Sequence, residues 1–273
     1  MQKLPLPVTA EKDIAEIVKL AKKTYWQPHK VAWIAQYEAY QNNSGNPFHI
    51  TRHNFGDGVS DKQYDLYDTR KGSGELRRMR KKEGLKSCPV CGSPVTGDLD
   101  HYLPRTSYPE FSIMRANLVP ACTHCNSGVK KSTVHGEAPQ RFIHPYFDEW
   151  AGQDVWYVDI APPFKAATFI PRPQPELDEP NDEIVKFHLE NVLGDQFQLS
   201  MATEWSTLPT QIKLRTNDLN AATVTAQIEQ ELQVARASKG NNSWHAALFR
   251  GVQRNPDAIQ FLCDEAINAI LPF

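Results

Sequence analysis

Apolar residues near the start of the chain recur with a helical period. Ile14 and Ile17 begin a series of apolar positions spaced three and four residues apart, which places their side chains on one face of a helix. Thr9 is a suitable N-cap for this helix, and Pro28 suits the first turn of a second one. The pattern therefore predicts two helices within residues 9–43.

The stretch that follows has no such period. Residues 48–70 are polar, with Gly56 and Gly58 among Asn and Asp side chains, and they predict a loop or short irregular elements. Residues 70–86 carry eight Lys or Arg against two Glu, an excess that could contact phosphate groups. The alternative is a solvated basic linker. Within this basic stretch, Glu75 to Lys82 favours a helix.

The C-terminal part of the chain predicts a short sheet and then helices. An aromatic and β-branched run favours a strand, and a second short run can pair with it. A proline-rich loop follows, and the next apolar segment stays open between helix and strand. The predicted elements are strands at 155–160 and 167–170, a loop at 171–180, the open segment at 182–193, and helices at 218–238 and from the Asn255 cap onward.

Composition indicates an ordinary globular protein. Of the 273 residues, 40% are hydrophobic and 23% are charged. No apolar run approaches the roughly 18–20 residues of a membrane span, and the first residues lack a signal-peptide core. We therefore expect a cytoplasmic protein that does not engage a membrane. The net charge of −2 does not by itself indicate a nucleic-acid partner, so the distribution of charge matters more.

Two Cys-x-x-Cys pairs predict a metal site. Cys88 and Cys91 form the first pair, and Cys122 and Cys125 form the second. Two such pairs supply the four thiolates that structural Zn²⁺ prefers. The thirty residues between the pairs exceed the usual zinc-ribbon gap of about 15–20, so a folded element is expected inside the loop. The fifth cysteine, Cys263, lies in an apolar helical pattern and is expected in the core.

The segment between and just after these pairs resembles the HNH, or ββα-metal, endonucleases. It contains Asp100-His101, then Asn117, and then Asn126 directly after the last cysteine of the quartet. The resemblance covers about residues 86–132 and is specific in the order of its parts. It implies an α+β fold with a ββα-metal core beside a four-cysteine zinc knuckle. It also implies metal-dependent hydrolysis of phosphodiester bonds.

The residue types suit that chemistry. His101 is the expected general base, because the ordinary pKa of histidine, about 6.5, lies near neutral pH. Asp100 and Asn126 offer the hard oxygen ligands that Mg²⁺ or Mn²⁺ prefers. Many family members have His in place of Asn126, so we expect little use of Zn²⁺ at the catalytic position. The resemblance gives Asn117 a supporting role. The candidate phosphate contacts are Arg105, Lys130 and Lys131.

These inferences combine into a three-part prediction. Residues 1–85 form a helical segment with the basic linker, residues 86–148 the zinc-bound nuclease core, and residues 149–273 a region of strands and helices. The expected substrate is nucleic acid, with DNA favoured over RNA. HNH proteins with zinc knuckles also occur as effectors in bacterial anti-phage defence, so a regulatory partner such as an ATPase is a further expectation. The alternative function is a non-catalytic zinc module that binds nucleic acid or a protein.

Overall fold

Helices occupy both ends of the chain, and two short hairpins of strands lie between them. The structure is a computed structural model and describes residues 1–81 and 84–271, with the backbone alone at Ser127. Within this part the chain is mixed α and β. The helices are α1 (Ala10–Leu20), α2 (Lys30–Asn42), α3 (Asp57–Arg70), α4 (Gly74–Arg80), α5 (Asn181–Val192), α6 (Gly194–Arg215), α7 (Ala221–Lys239), α8 (Trp244–Gln253) and α9 (Pro256–Asn268). The strands are β1 (Asp98–His101), β2 (Leu118–Ala121), β3 (Trp156–Ala161) and β4 (Thr168–Pro173).

The two helices predicted at the N-terminal end are confirmed. Thr9 has the extended backbone of an N-cap, and α1 buries Ile17 and Leu20 on its apolar face. A single 3₁₀ turn at Gln27–His29, with Pro28 in its first positions, leads directly into α2. Helices α1 and α2 pack against each other, so the helical period of the sequence does mark a buried face.

The loop predicted over residues 48–70 is wrong for most of that range. Helix α3 occupies Asp57–Arg70, and the residues it buries are Gln63 and Tyr67. The buried face of α3 is therefore narrow and includes the amide of Gln63. For this reason the sequence shows no helical period of apolar residues here. The predicted helix in the basic stretch is present as α4, although Lys82 at its expected end lies outside the described residues.

Strands β1 and β2 form an antiparallel hairpin inside the loop between the cysteine pairs. In its register, Asp100 lies opposite Val119 and His101 lies opposite Leu118. A short π-helical segment, His124–Val129, follows β2 and contacts β1. The chain therefore runs strand, strand, short helix across this region, and such π-helical turns are frequent at functional sites.

The C-terminal region is a second hairpin covered by helices. Strands β3 and β4 pair as predicted, and the segment left open at 182–193 is helix α5. Helix α8 packs on β3 so closely that a Cβ at Gly251 would lie 1.6 Å from the carbonyl oxygen of Val158. Only glycine allows this approach. Cys263 is buried in α9, as expected for a core cysteine.

One hydrophobic core runs through all three predicted segments. The predicted divisions near residues 86 and 149 fall outside helices and strands or at their edges, in the approach to β1 and at the 3₁₀ turn before β3. Among residues 1–81 and 84–271, none of the helices has the length and apolar character needed to cross a bilayer.

A buried ion pair ties α1 to the start of β2. The Asp13 carboxylate lies 2.7 Å from Nε of Arg115 and also accepts from the backbone N–H groups of Arg115 and Ala116. The same guanidinium reaches Glu75 of α4, whose side chain is 51% exposed. Burial raises the pKa of Asp13, and the Arg115 charge opposes that shift. One arginine thus joins α1, α4 and the hairpin.

We expect Asp13→Ala to lower the free energy of unfolding by about 3–5 kcal/mol, because it removes the buried carboxylate of the Arg115 ion pair and the acceptor of the Arg115 and Ala116 N–H groups. Glu75→Ala is the matched control. It removes the exposed partner of the same guanidinium and should cost less than about 1 kcal/mol. Urea denaturation of both variants measures the difference, and equal losses would contradict the role assigned to Asp13.

Candidate functional site

The four cysteines of the two pairs converge in the core. All four are buried, and their sulfur atoms lie within 4.8 Å of one another. The sulfurs of Cys91 and Cys122 are 3.7 Å apart. Four sulfurs placed about 2.3 Å from a zinc ion in a tetrahedron would be about 3.8 Å apart, so the arrangement suits zinc. The four cysteines therefore form a cluster that could hold zinc, as their spacing predicts.

Local backbone geometry shapes the first cysteine turn. The N–H of Gly92 donates to the Cys88 carbonyl at 2.8 Å, and the N–H of Cys88 donates to the Ser93 carbonyl at 2.8 Å. Gly92 has a φ of +83°, and a Cβ there would lie 2.2 Å from the carbonyl oxygen of Asn242. Glycine is needed both for the turn and for the close approach of the C-terminal region.

Backbone N–H groups also point at the sulfurs. The N–H of Cys122 donates to the sulfur of Cys88 at 3.3 Å, and the N–H of Cys125 donates to the sulfur of Cys122 at 3.4 Å. Hydrogen bonds of this kind stabilise negative charge on sulfur, which is the form that binds metal. The backbone around the cluster therefore stabilises thiolates more than neutral thiols.

The C-terminal region clamps the first cysteine turn from outside. Trp244 of α8 donates its indole N–H to the Cys91 carbonyl at 2.8 Å. His188 of α5 contacts the Val90 carbonyl through Nε2 at 2.7 Å. Both side chains are buried, and sequence reasoning missed their role. No local pattern could have identified them, because each partner lies about 100 residues or more away in sequence.

Asp100 and His101 lie at the end of β1, and both are nearly enclosed. Their exposed fractions are 6% and 7%. The Asp100 carboxylate pairs with the Lys130 ammonium at 2.7 Å, and the same ammonium donates to the His101 carbonyl at 2.5 Å. Burial raises the pKa of Asp100, and the Lys130 charge opposes that shift. The ammonium therefore places a positive charge directly on the carboxylate.

The His101 ring is held in one tautomer. Its Nε2 lies 3.0 Å from the Ser112 carbonyl oxygen, which can only accept, so Nε2 carries the proton. Tyr67 of α3 contacts the ring edge-on, with centroids 4.6 Å apart. Burial lowers the pKa of His101 to about 3, so the ring is neutral at physiological pH. Nδ1 then carries the lone pair that can accept a proton, and in this enclosed state it is a weaker base than the ordinary pKa of histidine implies.

Asn117 fastens the loop that follows His101. Its Oδ1 accepts from the Leu103 N–H at 2.7 Å, and its Nδ2 donates to the Leu103 carbonyl at 3.0 Å. The Asn117 carbonyl accepts from the Tyr102 N–H at 2.8 Å. The side chain is fully buried and fixes the backbone immediately after the histidine.

His144 extends this network away from β1. Its Nδ1 accepts from the Tyr146 N–H at 3.2 Å, so Nε2 carries the proton and donates to the Tyr40 hydroxyl at 3.0 Å. Tyr40 in turn donates to Oδ1 of Asn117 at 3.1 Å. Burial keeps the pKa of His144 well below its ordinary value, so the ring stays neutral. His144 therefore orients Tyr40, and among the residues that the structure describes it makes no hydrogen bond to Asp100.

The cationic candidates occupy three different environments. Lys130 is 1% exposed and bound to Asp100, so it does not face solvent. Arg105 is half-buried, pairs with Asp68 of α3 at 2.6 Å and lies 4.0 Å over the Tyr64 ring. Lys131 alone is exposed. The prediction that these residues contact phosphate stays a prediction, and Lys130 would need to leave Asp100 to do so.

Asn126 lies about one helical turn before Lys130 in the short π-helical segment. Its N–H donates to the Cys122 carbonyl at 3.1 Å, and the residue is half-buried. The neighbouring His124 contacts the Leu193 carbonyl through Nε2 at 2.9 Å, so it bridges to the C-terminal helices. The segment that bears Asn126 contacts β1, and Lys130 at its end binds the Asp100 carboxylate and the His101 carbonyl.

Comparison with known proteins gives a limited likeness. A stretch of 65 residues is 45% identical to protein Ea31 of Escherichia phage lambda. It spans 23% of this chain and 22% of that protein, so the likeness covers under a quarter of each. No protein-family model matches the chain, and no solved structure matches it.

We expect the purified protein to carry one zinc ion per chain and Cys88→Ser to lose it, because a hydroxyl is a poor replacement for the fourth thiolate. Metal content measured by mass spectrometry, together with a thermal melt, checks both effects. Cys263→Ser is the matched control, since that cysteine lies in α9 away from the cluster, and it should keep its zinc. A Cys88→Ser protein that stays folded and fully loaded with zinc would rule out the four-cysteine site.

Proposed function

We propose that this chain is an HNH-type endonuclease that hydrolyses phosphodiester bonds in DNA. The observation that carries the proposal is the position of Asp100-His101. The pair ends a strand of a hairpin enclosed by the two cysteine pairs, and the hairpin is followed by a short helix that bears Asn126. In this proposal the zinc cluster is structural and the hairpin carries the chemistry.

His101 acts as the general base. With Nε2 held by the Ser112 carbonyl, Nδ1 is oriented by the fold and takes a proton from the attacking water. Asn117 is a positioning residue, because it fixes the backbone at Tyr102 and Leu103 directly after the base. The hydrogen bonds that both roles need, those of His101 Nε2 and of the Asn117 amide, are already formed in the folded chain.

Asp100 and Asn126 would hold the divalent cation, Mg²⁺ or Mn²⁺, which supplies charge stabilisation at the scissile phosphate. Their carboxylate and amide oxygens suit a hard cation. The ion pair between Lys130 and Asp100 supports a cation site at this carboxylate, because the fold already places a positive charge beside it. In the working enzyme Lys130 would give up this contact or share it.

Enclosure of the site favours control by a partner. Helix α3 contacts the His101 ring through Tyr67 and narrows access to the base, so a shift of α3 would raise the rate of cutting. A regulatory protein, such as an ATPase in an antiviral defence system, would supply that opening. The same enclosure favours the alternative function, a zinc module that binds nucleic acid or a protein without cleaving it.

We expect the wild-type protein to nick plasmid DNA with Mg²⁺ or Mn²⁺, and His101→Ala to reduce the rate by about 10²–10⁴-fold through loss of the base. The matched control is His49→Ala, which changes an exposed histidine and should cut like the wild type. Gel quantification of nicked plasmid measures the rates. Equal cutting by wild type and His101→Ala would end the assignment of the base, and binding without cutting would support the zinc-module alternative.

A second test concerns the charge on Asp100. Lys130→Met leaves that buried carboxylate unpaired and should destabilise the protein by about 3–5 kcal/mol. Added Mn²⁺ should then raise the melting temperature of Lys130→Met more than that of the wild type, since the cation replaces the lost ammonium. Lys131→Met changes the exposed neighbour and should behave like the wild type. A Lys130→Met protein that does not respond to Mn²⁺ would argue against a cation at Asp100.

A further inference from the structure

A cleft of about 490 Å³ lies between α1 and α4. Its size is within the range of ligand-binding sites, and it opens to solvent on the N-terminal side of the hairpin. The residues that line it are unusual in charge, with five cations against two carboxylates. The cations are Lys12, Lys19, Arg70, Arg78 and Arg115, and the carboxylates are Glu16 and Glu75.

Ion pairs within the cleft neutralise only part of this charge. Arg115 at its base is held by Asp13 and Glu75, and Lys19 pairs with Glu16 at 2.7 Å. The other three cations have no carboxylate within 4 Å among residues 1–81 and 84–271. They come from three different helices and face one space. The three are Lys12 of α1, Arg70 of α3 and Arg78 of α4.

The positive surface continues from the cleft towards β1. Arg77 and Arg80 lie on the same helix as Arg78, and this helix, α4, packs against β1, the strand that ends at His101. Burial raises the pKa of Tyr67, and the Arg80 charge opposes that shift, so Arg80 lies near the ring that covers the histidine. The cations therefore form a strip and not an isolated pocket.

We propose that this strip, from Lys12, Arg70 and Arg78 to Arg77 and Arg80, binds the phosphate backbone of duplex DNA. The inference rests on the proposed function, for which it supplies the substrate-binding surface. A polyanion with regularly spaced phosphates fits a strip of unpaired cations contributed by several helices, whereas one small anion would engage the cleft alone. The strip leads to the covered face of the His101 strand, where a bound duplex would lie beside the base.

The test is duplex binding without cleavage. Fluorescence anisotropy of a labelled DNA duplex, in buffer without added divalent cations, gives the affinity of the full zinc-loaded chain at several salt concentrations. The Lys12→Gln, Arg70→Gln, Arg78→Gln triple variant should bind about tenfold or more weakly. Its slope of log affinity against log salt should fall by about 2–3, because three phosphate contacts are lost.

Two further variants make the result specific. The Lys12→Gln, Arg78→Gln double variant changes only exposed side chains, so it folds even if the triple variant does not, and its slope should fall by about 2. A control triple variant removes the same charge elsewhere, at Lys165, Arg172 and Lys186, and should bind like the wild type. Wild-type affinity in the double variant, or an equal loss in the control, would overturn the assignment of the strip.

This outcome is independent of the cleavage assay. If the wild-type protein never cuts plasmid and the cleft variants lose duplex binding, the strip is supported and the proposed nuclease function is rejected. Conversely, a protein that cuts plasmid through His101 while the cleft variants bind duplex normally would keep the function and reject the strip.

Discussion

Convergence of four cysteines is the constraint on which the position of the β1–β2 hairpin and of its covering C-terminal helices depends. The first pair precedes β1 and the second pair starts the helical segment after β2, so one bound metal would set both ends of the hairpin. The C-terminal helices then close on the first cysteine turn through Trp244 and His188. Since metal binding and folding are coupled at such sites, a bound zinc would stabilise both the hairpin and its covering helices.

A second constraint is the buried polar network on the other side of the hairpin. His144, Tyr40 and Asn117 form a chain of buried hydrogen bonds that ends on the loop after His101. When one partner of a fully buried hydrogen bond is removed, water cannot reach the remaining group to replace that partner. The network therefore holds the orientation of the β1 end from the N-terminal helix α2, while the cysteines hold it from the opposite direction.

Sequence alone located the parts of this site whose signals are local. Cysteine spacing identified the cluster. The Asp-His pair lies at the end of β1, Asn117 lies directly before β2, and Asn126 lies in the π-helical segment after it. Helix α3 was missed because its buried face is narrow and includes Gln63, and α6 was missed because Pro209 lies inside a 22-residue helix. Proline normally ends a helix, so tertiary packing overrides the local preference there.

Other features have no local signal at all. Ser112 sets the tautomer of His101 through a backbone carbonyl, which any residue possesses. Lys130 was predicted to contact phosphate and lysine is rarely buried, yet its side chain is 1% exposed. What overrides the rule is the Asp100 carboxylate, a partner that only the folded hairpin brings within 2.7 Å. Contacts between distant segments, and not propensities, determine both environments.

The pairing of Lys130 with Asp100 bears directly on how the proposed enzyme would change state. One carboxylate and one ammonium are neutral together, which makes their joint burial tolerable. A divalent cation in place of the ammonium would leave an excess positive charge in the same enclosed space. A phosphodiester carries one negative charge, and its arrival would restore neutrality. Charge balance therefore favours Lys130 on Asp100 without substrate, and its release when a phosphodiester and a cation enter together.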